Sequence, residues 1–316
     1  MDVFIDIALL IGGLVFLFIG GEGLVRGSTS IAERFGFSRL IVGLVIVGFG
    51  TSAPELLVSV QAALDGAPDI AIGNVVGSNI ANILLIVGVG AAMVPIANDD
   101  PAIRRDLLVM LASAALIVLI FQFGTIGRIA GAAMFALLIV YLTVSYLAER
   151  RRLARSKGAE TEIAAPELKP LIATIAVVAG IVMLVLGARL MVDGATSLAR
   201  HIGVSEAVIG LTIVAIGTSL PELATVFIAA RKGEADVILG NVVGSNIFNI
   251  LCILGVTAMI TPIGVADRFA TIDGPLMLAL FFASIVVLFA YQRIGRFAGV
   301  AMLVLYAAYI GAQNTL

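Results

Sequence analysis

GFGTSAPELL, residues 48–57, returns as AIGTSLPELA at residues 215–224, and GNVVGSNIANIL, residues 73–84, returns as GNVVGSNIFNIL at residues 240–251. Both returns fall 167 residues later. Each copy sets a Pro-Glu pair, hydroxyls and amides inside a long apolar run. A carboxylate in lipid is costly, so two at matched positions point to an ion site.

Outward from these segments the chain is apolar almost throughout. Of its 316 residues, 61% are hydrophobic and 13% charged, with a mean hydropathy of +1.15. A soluble domain usually carries about 25% charged residues. Apolar stretches long enough to cross a bilayer recur, which excludes a soluble domain and predicts an all-α polytopic membrane protein. The runs are too long and continuous for barrel strands. Ten spans are expected, near 4–26, 38–64, 70–95, 104–123, 126–148, 170–193, 205–230, 236–261, 271–291 and 295–313. The first ten residues, MDVFIDIALL, hold two Asp and no Lys or Arg, so the first run reads as a retained span and not a signal peptide. Cys252 is the single cysteine and reads as a packing residue.

Further matches extend the repeat. Pro95 and Pro262 end the third and eighth spans, and IGRIAGAAM at 126–134 is echoed by IGRFAGVAM at 294–302. Residues 1–149 therefore read as a first five-helix repeat, 150–169 as a charged linker, and 170–316 as a second repeat. Five spans per repeat give the two copies opposite orientations. Such inverted repeats are built around a site near the bilayer midplane. Fourteen of the 19 Lys and Arg fall in alternate loops on one side, Arg104, Arg105, Arg150, Arg231, Lys232 and Arg293 among them. That side is expected to be cytoplasmic, with both termini outside and the chain in the plasma (inner) membrane.

The motifs supply oxygen ligands. A proline within a helix frees backbone carbonyls of the preceding turn, and Pro54 and Pro221 are expected to do so near Gly48, Gly50 and Thr51 and near Ala215, Gly217 and Thr218. Glu55 shares a helix face with Thr51 and Ser52, as Glu222 does with Thr218 and Ser219. In the next span Asn74, Ser78 and Asn82 step by four, and Asn241, Ser245 and Asn249 repeat the step. Two carboxylates, hydroxyls, amide oxygens and carbonyls suit Ca²⁺ or several Na⁺, and no Cys/His cluster offers a soft-metal site. Two buried carboxylates without a counter-ion cost several kcal/mol each. A site stable only when filled favours exchange over leak.

At these residues the chain resembles the cation/calcium exchanger superfamily, and within it the prokaryotic sodium/calcium exchanger type. The resemblance runs through both repeats. It implies a secondary antiporter, not an enzyme, that exchanges Ca²⁺ for Na⁺ by alternating access. It implies that Glu55 and Glu222 bind both ions in turn, with hydroxyls from Thr51, Ser52, Ser78, Thr218, Ser219 and Ser245, the amides Asn82 and Asn249, and carbonyls of Gly48, Thr51, Ala215 and Thr218. Glu55, Glu222, Thr51 and Thr218 form the expected Ca²⁺ set. It implies spans 2, 3, 7 and 8 as a rigid core, with glycine-rich spans 1 and 6 sliding across it. Some members carry Asp at one of the two amide positions, and both are Asn here. No cofactor, nucleic acid or obligate protein partner is expected, only ions and membrane lipid.

Two other readings stand beside this one. The same glutamates could couple Ca²⁺ to protons. An intramembrane lipid-phosphate enzyme would need basic residues at the site and a base for a nucleophilic Ser. The motifs hold neither, and His201 is the sole histidine. Glu22 with Arg26, and Arg189 with Asp193, are expected to form intrahelical or interfacial ion pairs at span ends, with a gating role the lesser reading, and His201, in the loop after span 6, to be a surface or interface residue and not a proton relay. Ser59 and Thr225, which have no counterpart in the other repeat, are expected to pack or to bond to backbone.

Overall fold

The computed structural model describes residues 3–35, 37, 42–97, 101–156, 167–201 and 217–313. It is almost wholly helical. In the first repeat α1 is Val3–Phe35, α2 Gly43–Thr51, α3 Ala53–Leu64, α4 Pro68–Met93, α5 Pro101–Phe121 and α6 Arg128–Ser156. In the second, α7 is Pro170–His201, α8 Leu220–Lys232, α9 Ala235–Ile260, α10 Phe269–Tyr291 and α11 Arg296–Gln313. Four two-residue strands join the ends: β1 Ile96–Ala97, β2 Thr125–Ile126, β3 Ile263–Gly264 and β4 Arg293–Ile294.

Six of these helices are long and apolar enough to cross a membrane, and seven if α2 and α3 are one bent span. Of the other expected spans, 104–123 corresponds to α5, whose first turns carry Arg104, Arg105 and Asp106. The span 295–313 corresponds to α11. The span 205–230 is described only from residue 217. Helix α6 continues to Ser156, well into the stretch read as linker, and residues 157–166 lie outside the described residues.

Burial sorts the helices into layers. The most apolar window of α9 is wholly buried and that of α4 mostly so, whereas α1, α6 and α7 expose most of theirs. Phe4, Ile11, Leu14 and Val15 on α1 and Ile172, Ile175 and Val178 on α7 face outward, as lipid-facing side chains must. The centre is therefore α2, α3, α4, α8 and α9, the spans that carry the motifs.

Two details follow from glycine. Helices α1 and α7 pack antiparallel along glycines spaced by seven: Gly13, Gly20 and Gly27 on one, and Gly180, Gly187 and Gly194 on the other. A Cβ on any of these six would come within 2.7–2.8 Å of a carbonyl oxygen on the facing helix. Only glycine permits backbones to approach so closely. In the core, Gly244 of α9 packs its Cα against the Leu44 backbone of α2, and Gly48 packs on Asn241 and Ser245.

The strands cross the repeats, which the sequence pattern does not announce. Ile96 pairs with Ile294, and Ile126 with Ile263, both antiparallel. Each pair ties a loop of one repeat to a loop of the other, one pair on each side of the membrane.

The ion pairs of the two repeats are unequal. Glu22 binds Arg26 at 2.6 Å and Lys232, the last residue of α8, at 2.8 Å. The guanidinium of Arg231 stacks 5.6 Å from the Phe18 ring. The residues at the matching places of the other repeat are Arg189 and Asp65. Among the described residues Arg189 makes no ion pair, which corrects the expected bond to Asp193. His201 is exposed at the surface, as expected, but ends α7 where a loop was expected, and sets Nδ1 3.2 Å from Oδ2 of the buried Asp6.

Candidate cation site between the repeats

The site begins with two matched breaks. Ser52, between α2 and α3, has φ −81° and ψ 5°, and Ser219, before α8, has φ −88° and ψ 3°. This is the bridge region of backbone space, sparsely populated and common at functional positions. Helices α2 and α3 meet at a bend of 46°. Pro54 and Pro221 each occupy the second position of the new helix, where an N–H has no intrahelical partner to lose. The prolines therefore start helices, where the sequence reading set them inside one.

That difference corrects the expected role of Gly48. Its carbonyl is not freed: it accepts the Ser52 N–H at 3.2 Å, the Thr51 hydroxyl at 3.3 Å and the Ser245 hydroxyl at 3.2 Å. The break falls after Thr51, so the last turn of α2 still closes on Gly48. Its counterpart Ala215 lies outside the described residues.

The acids sit in the first turns of α3 and α8, where the helix dipole favours negative charge. Glu55 and Glu222 are each 1% exposed. The Ser52 hydroxyl donates to Glu222 Oε1 at 3.3 Å, linking the break of one repeat to the acid of the other. Thr51 Oγ1 donates to the Val47 carbonyl at 3.0 Å and reaches Asn241 Oδ1 at 3.3 Å. Ser78, Ser219 and Ser245 are buried nearby in sequence, and Thr218 is half-buried at its break.

Wide π-helical turns begin at the two amides, Asn82–Ile86 in α4 and Asn249–Leu254 in α9. Such turns concentrate at functional sites. The turn from Asn82 packs on α8, which carries Glu222, and the turn from Asn249 packs on α3, which carries Glu55. Asn82 Nδ2 donates to Asn246 Oδ1, and Asn249 Nδ2 to Asn79 Oδ1, both at 3.0 Å. Asn246 and Asn79 in turn direct Nδ2 at the sulfurs of Met110 and Met277, both at 3.5 Å. Asn79, Asn246, Met110 and Met277 are missing from the sequence reading. The amides stand three residues from Asn82 and Asn249 in the repeated motif, and the sulfurs lie in matching stretches of α5 and α10. That coincidence was the available signal.

Among the described residues, three oxygens at the centre have no hydrogen-bond partner: Glu55 Oε2, Glu222 Oε2 and Asn249 Oδ1. Buried polar atoms are ordinarily satisfied, and orphaned acceptors gathered from mirrored elements suit a cation as their missing partner. Among the described residues no group of three or more His, Cys, Asp or Glu side chains forms another metal site.

The remaining polar residues bond locally. Asn74 Nδ2 donates to the Glu55 carbonyl at 3.1 Å and to Ser59 Oγ at 2.9 Å, clasping α3 to α4. Val226 stands where Ser59 would recur, so Asn241 lacks that clasp and turns to Thr51 instead. Ser59 also reaches the Ala71 carbonyl at 3.4 Å, and Thr225 bonds the Pro221 carbonyl at 2.8 Å, as expected of both.

Comparison with known proteins agrees with this architecture. The family model for "Sodium/calcium exchanger protein" matches twice, at residues 5–147 and 172–314. A putative antiporter, CaxA, of Alkalimonas amylolytica is 39% identical over 310 residues, 96% of each chain. The sodium/calcium exchanger MaX1 of Methanosarcina acetivorans is 32% identical, covering 97% of each. The solved structure of the sodium-calcium exchanger NCX_Mj, soaked with 2.5 mM Na⁺ and 1 mM Sr²⁺, superposes with a TM-score of 0.84 at 31% identity, over 98% of this chain and 99% of that one. With one family match on each repeat and the acids paired between them, the chain belongs to the sodium/calcium exchanger family, whose members are membrane transporters and not enzymes.

Proposed function

We propose that the chain exchanges Ca²⁺ for Na⁺ by alternating access at one site shared by its repeats. The observation that carries this is the set of oxygens without a partner among the described residues: those of Glu55 and Glu222 beside the mirrored helix breaks, and that of Asn249 at the start of its π-helical turn. Two carboxylates match the charge of one Ca²⁺, and several Na⁺ can replace it. Thr51, Ser52, Ser78, Asn82, Thr218, Ser219 and Ser245 complete the oxygen set, with the carbonyls of Thr51 and Thr218. Residues 1–149 and 170–316 act as the two half-sites, and 150–169 connects them on the cytoplasmic side of the plasma membrane, as the Lys and Arg bias supports. The transported ions and surrounding lipid are the only partners this reading requires.

The moving part is the α1–α7 pair, which exposes the site to each side in turn. The close glycine ladder supports movement of these two helices as a unit. Purified protein in sealed vesicles, loaded with Na⁺ and diluted into Ca²⁺, should take up Ca²⁺. Glu55→Gln and Glu222→Gln should each abolish uptake, and uptake surviving in both would refute the shared site. Proton coupling on the same fold is separated by a Na⁺ jump at constant pH: Ca²⁺ movement that ignores Na⁺ and follows pH would replace Na⁺ with H⁺.

A further inference from the structure

Among the described residues the amides Asn79 and Asn246 hydrogen-bond to neither carboxylate, yet each holds one of the amides that the site uses. A thioether accepts hydrogen bonds and has no hydrogen to donate. Met277 Sδ therefore takes the Nδ2 side of Asn79, and Met110 Sδ the Nδ2 side of Asn246. That fixes both amide oxygens toward the centre. Asn79 Oδ1 then receives Asn249 Nδ2, and Asn246 Oδ1 receives Asn82 Nδ2, each at 3.0 Å. With its nitrogen engaged, Asn249 has one polar atom left, Oδ1, which is buried and unpartnered. All four anchoring residues, Asn79, Asn246, Met110 and Met277, are fully buried, so water does not substitute for them.

We propose that Asn79 with Met277, and Asn246 with Met110, are positioning pairs that orient Asn249 and Asn82 so that each offers only its carbonyl oxygen to the transported cation. The proposal rests on the cation-site reading above and deepens it. It explains why this chain carries amides at both 82 and 249. An Asp there would set a carboxylate oxygen against Oδ1 of Asn79 or Asn246. The amide could relieve that contact only by flipping, which would aim its own oxygen at sulfur. The site is thereby held at two carboxylates, the charge of one divalent ion.

A double-mutant cycle on purified full-length protein tests this, with ⁴⁵Ca²⁺ binding in detergent as the readout. Asn79→Ala should weaken Ca²⁺ binding about tenfold, the scale set by a buried amide that loses its partner. In an Asn249→Ala background the same change should have an effect below about twofold, because its target is gone. A merely structural role would leave the two losses additive. Additive losses, or Ca²⁺ binding unchanged in Asn79→Ala, would overturn the proposal. If Asn79→Ala does not yield folded protein, Met277→Leu, which keeps the volume and removes the acceptor, should shift binding in the same direction and lose its effect in the Asn249→Ala background. A persistent effect there overturns the proposal equally. Glu55→Gln separates the two layers of argument. If it leaves Ca²⁺ binding intact, the site itself is wrong. If it abolishes binding while the cycle is additive, only the positioning pairs are wrong.

Discussion

Glu22 and Lys232 join a helix assigned to the moving pair to a helix of the core, so movement must break that bond. Its repeat-related partners, Arg189 and Asp65, carry swapped signs and stand apart at the opposite membrane face. Inverted-repeat exchange of the two halves predicts that they meet when Glu22 and Lys232 part. The magnitude follows from exposure. The side chains of Glu22 and Lys232 are 29% and 26% exposed, and Glu22 keeps Arg26 when Lys232 is lost, so the pair contributes about 1 kcal/mol or less. Lys232→Gln should therefore shift the two-state ratio by up to about fivefold. The assay is cross-linking in vesicles, in a Cys252→Ala background. Asp65→Cys with Arg189→Cys should form a disulfide that stops exchange until reduced, and its yield should rise up to fivefold with Lys232→Gln. Glu22→Cys with Lys232→Cys should trap the opposite state. Absence of the 65–189 disulfide under every Na⁺ and Ca²⁺ condition, or exchange at the normal rate while it is intact, would refute the reasoning.

Other outcomes follow from single contacts. Gly20→Val places a branched side chain against the Gly180 carbonyl; overpacking at such positions costs about 1–3 kcal/mol, and flux should fall before size-exclusion profiles change. Ser59→Ala removes one of the two acceptors of Asn74 Nδ2 and should cost about 1 kcal/mol, seen as a lower melting temperature with Ca²⁺ affinity little altered. Thr225→Ala should cost less, because its hydroxyl bonds only within its own helix.

Much of the fold was legible because its signals are local. Hydropathy marked the long apolar helices, and the repeated motif marked the matched disturbances at Pro54 and Pro221, though as prolines within a helix and not as the helix starts the structure has. The acids Glu55 and Glu222 stood out because charge is rare in lipid. Contacts between repeats were less legible. Two-residue strands carry no periodicity, so β1 with β4 left no trace in composition. Asn79 and Asn246 fell off the four-residue stripe that picked out Ser78 and Asn82, and their value appears only once α10 and α5 bring the sulfurs close. Glu22 was read as forming an intrahelical or interfacial ion pair, but its interfacial partner Lys232 is distant in sequence and had no local signal. The expected freedom of the Gly48 carbonyl failed for a local reason: a proline at the second position begins a helix without disturbing the turn before it.

The strands that cross between repeats bear on how such a chain can have arisen. One five-helix copy leaves half of each contact unmet: β1 lacks β4, Asn82 lacks Asn246, and Ser52 lacks Glu222. All are supplied by a second copy turned over in the same membrane. A single-copy ancestor would have worked only as a pair of identical chains inserted in opposite directions, which requires loops with little charge preference. Within one fused chain each copy can carry its own charges, and Glu22 and Arg189 have opposite signs at matched positions.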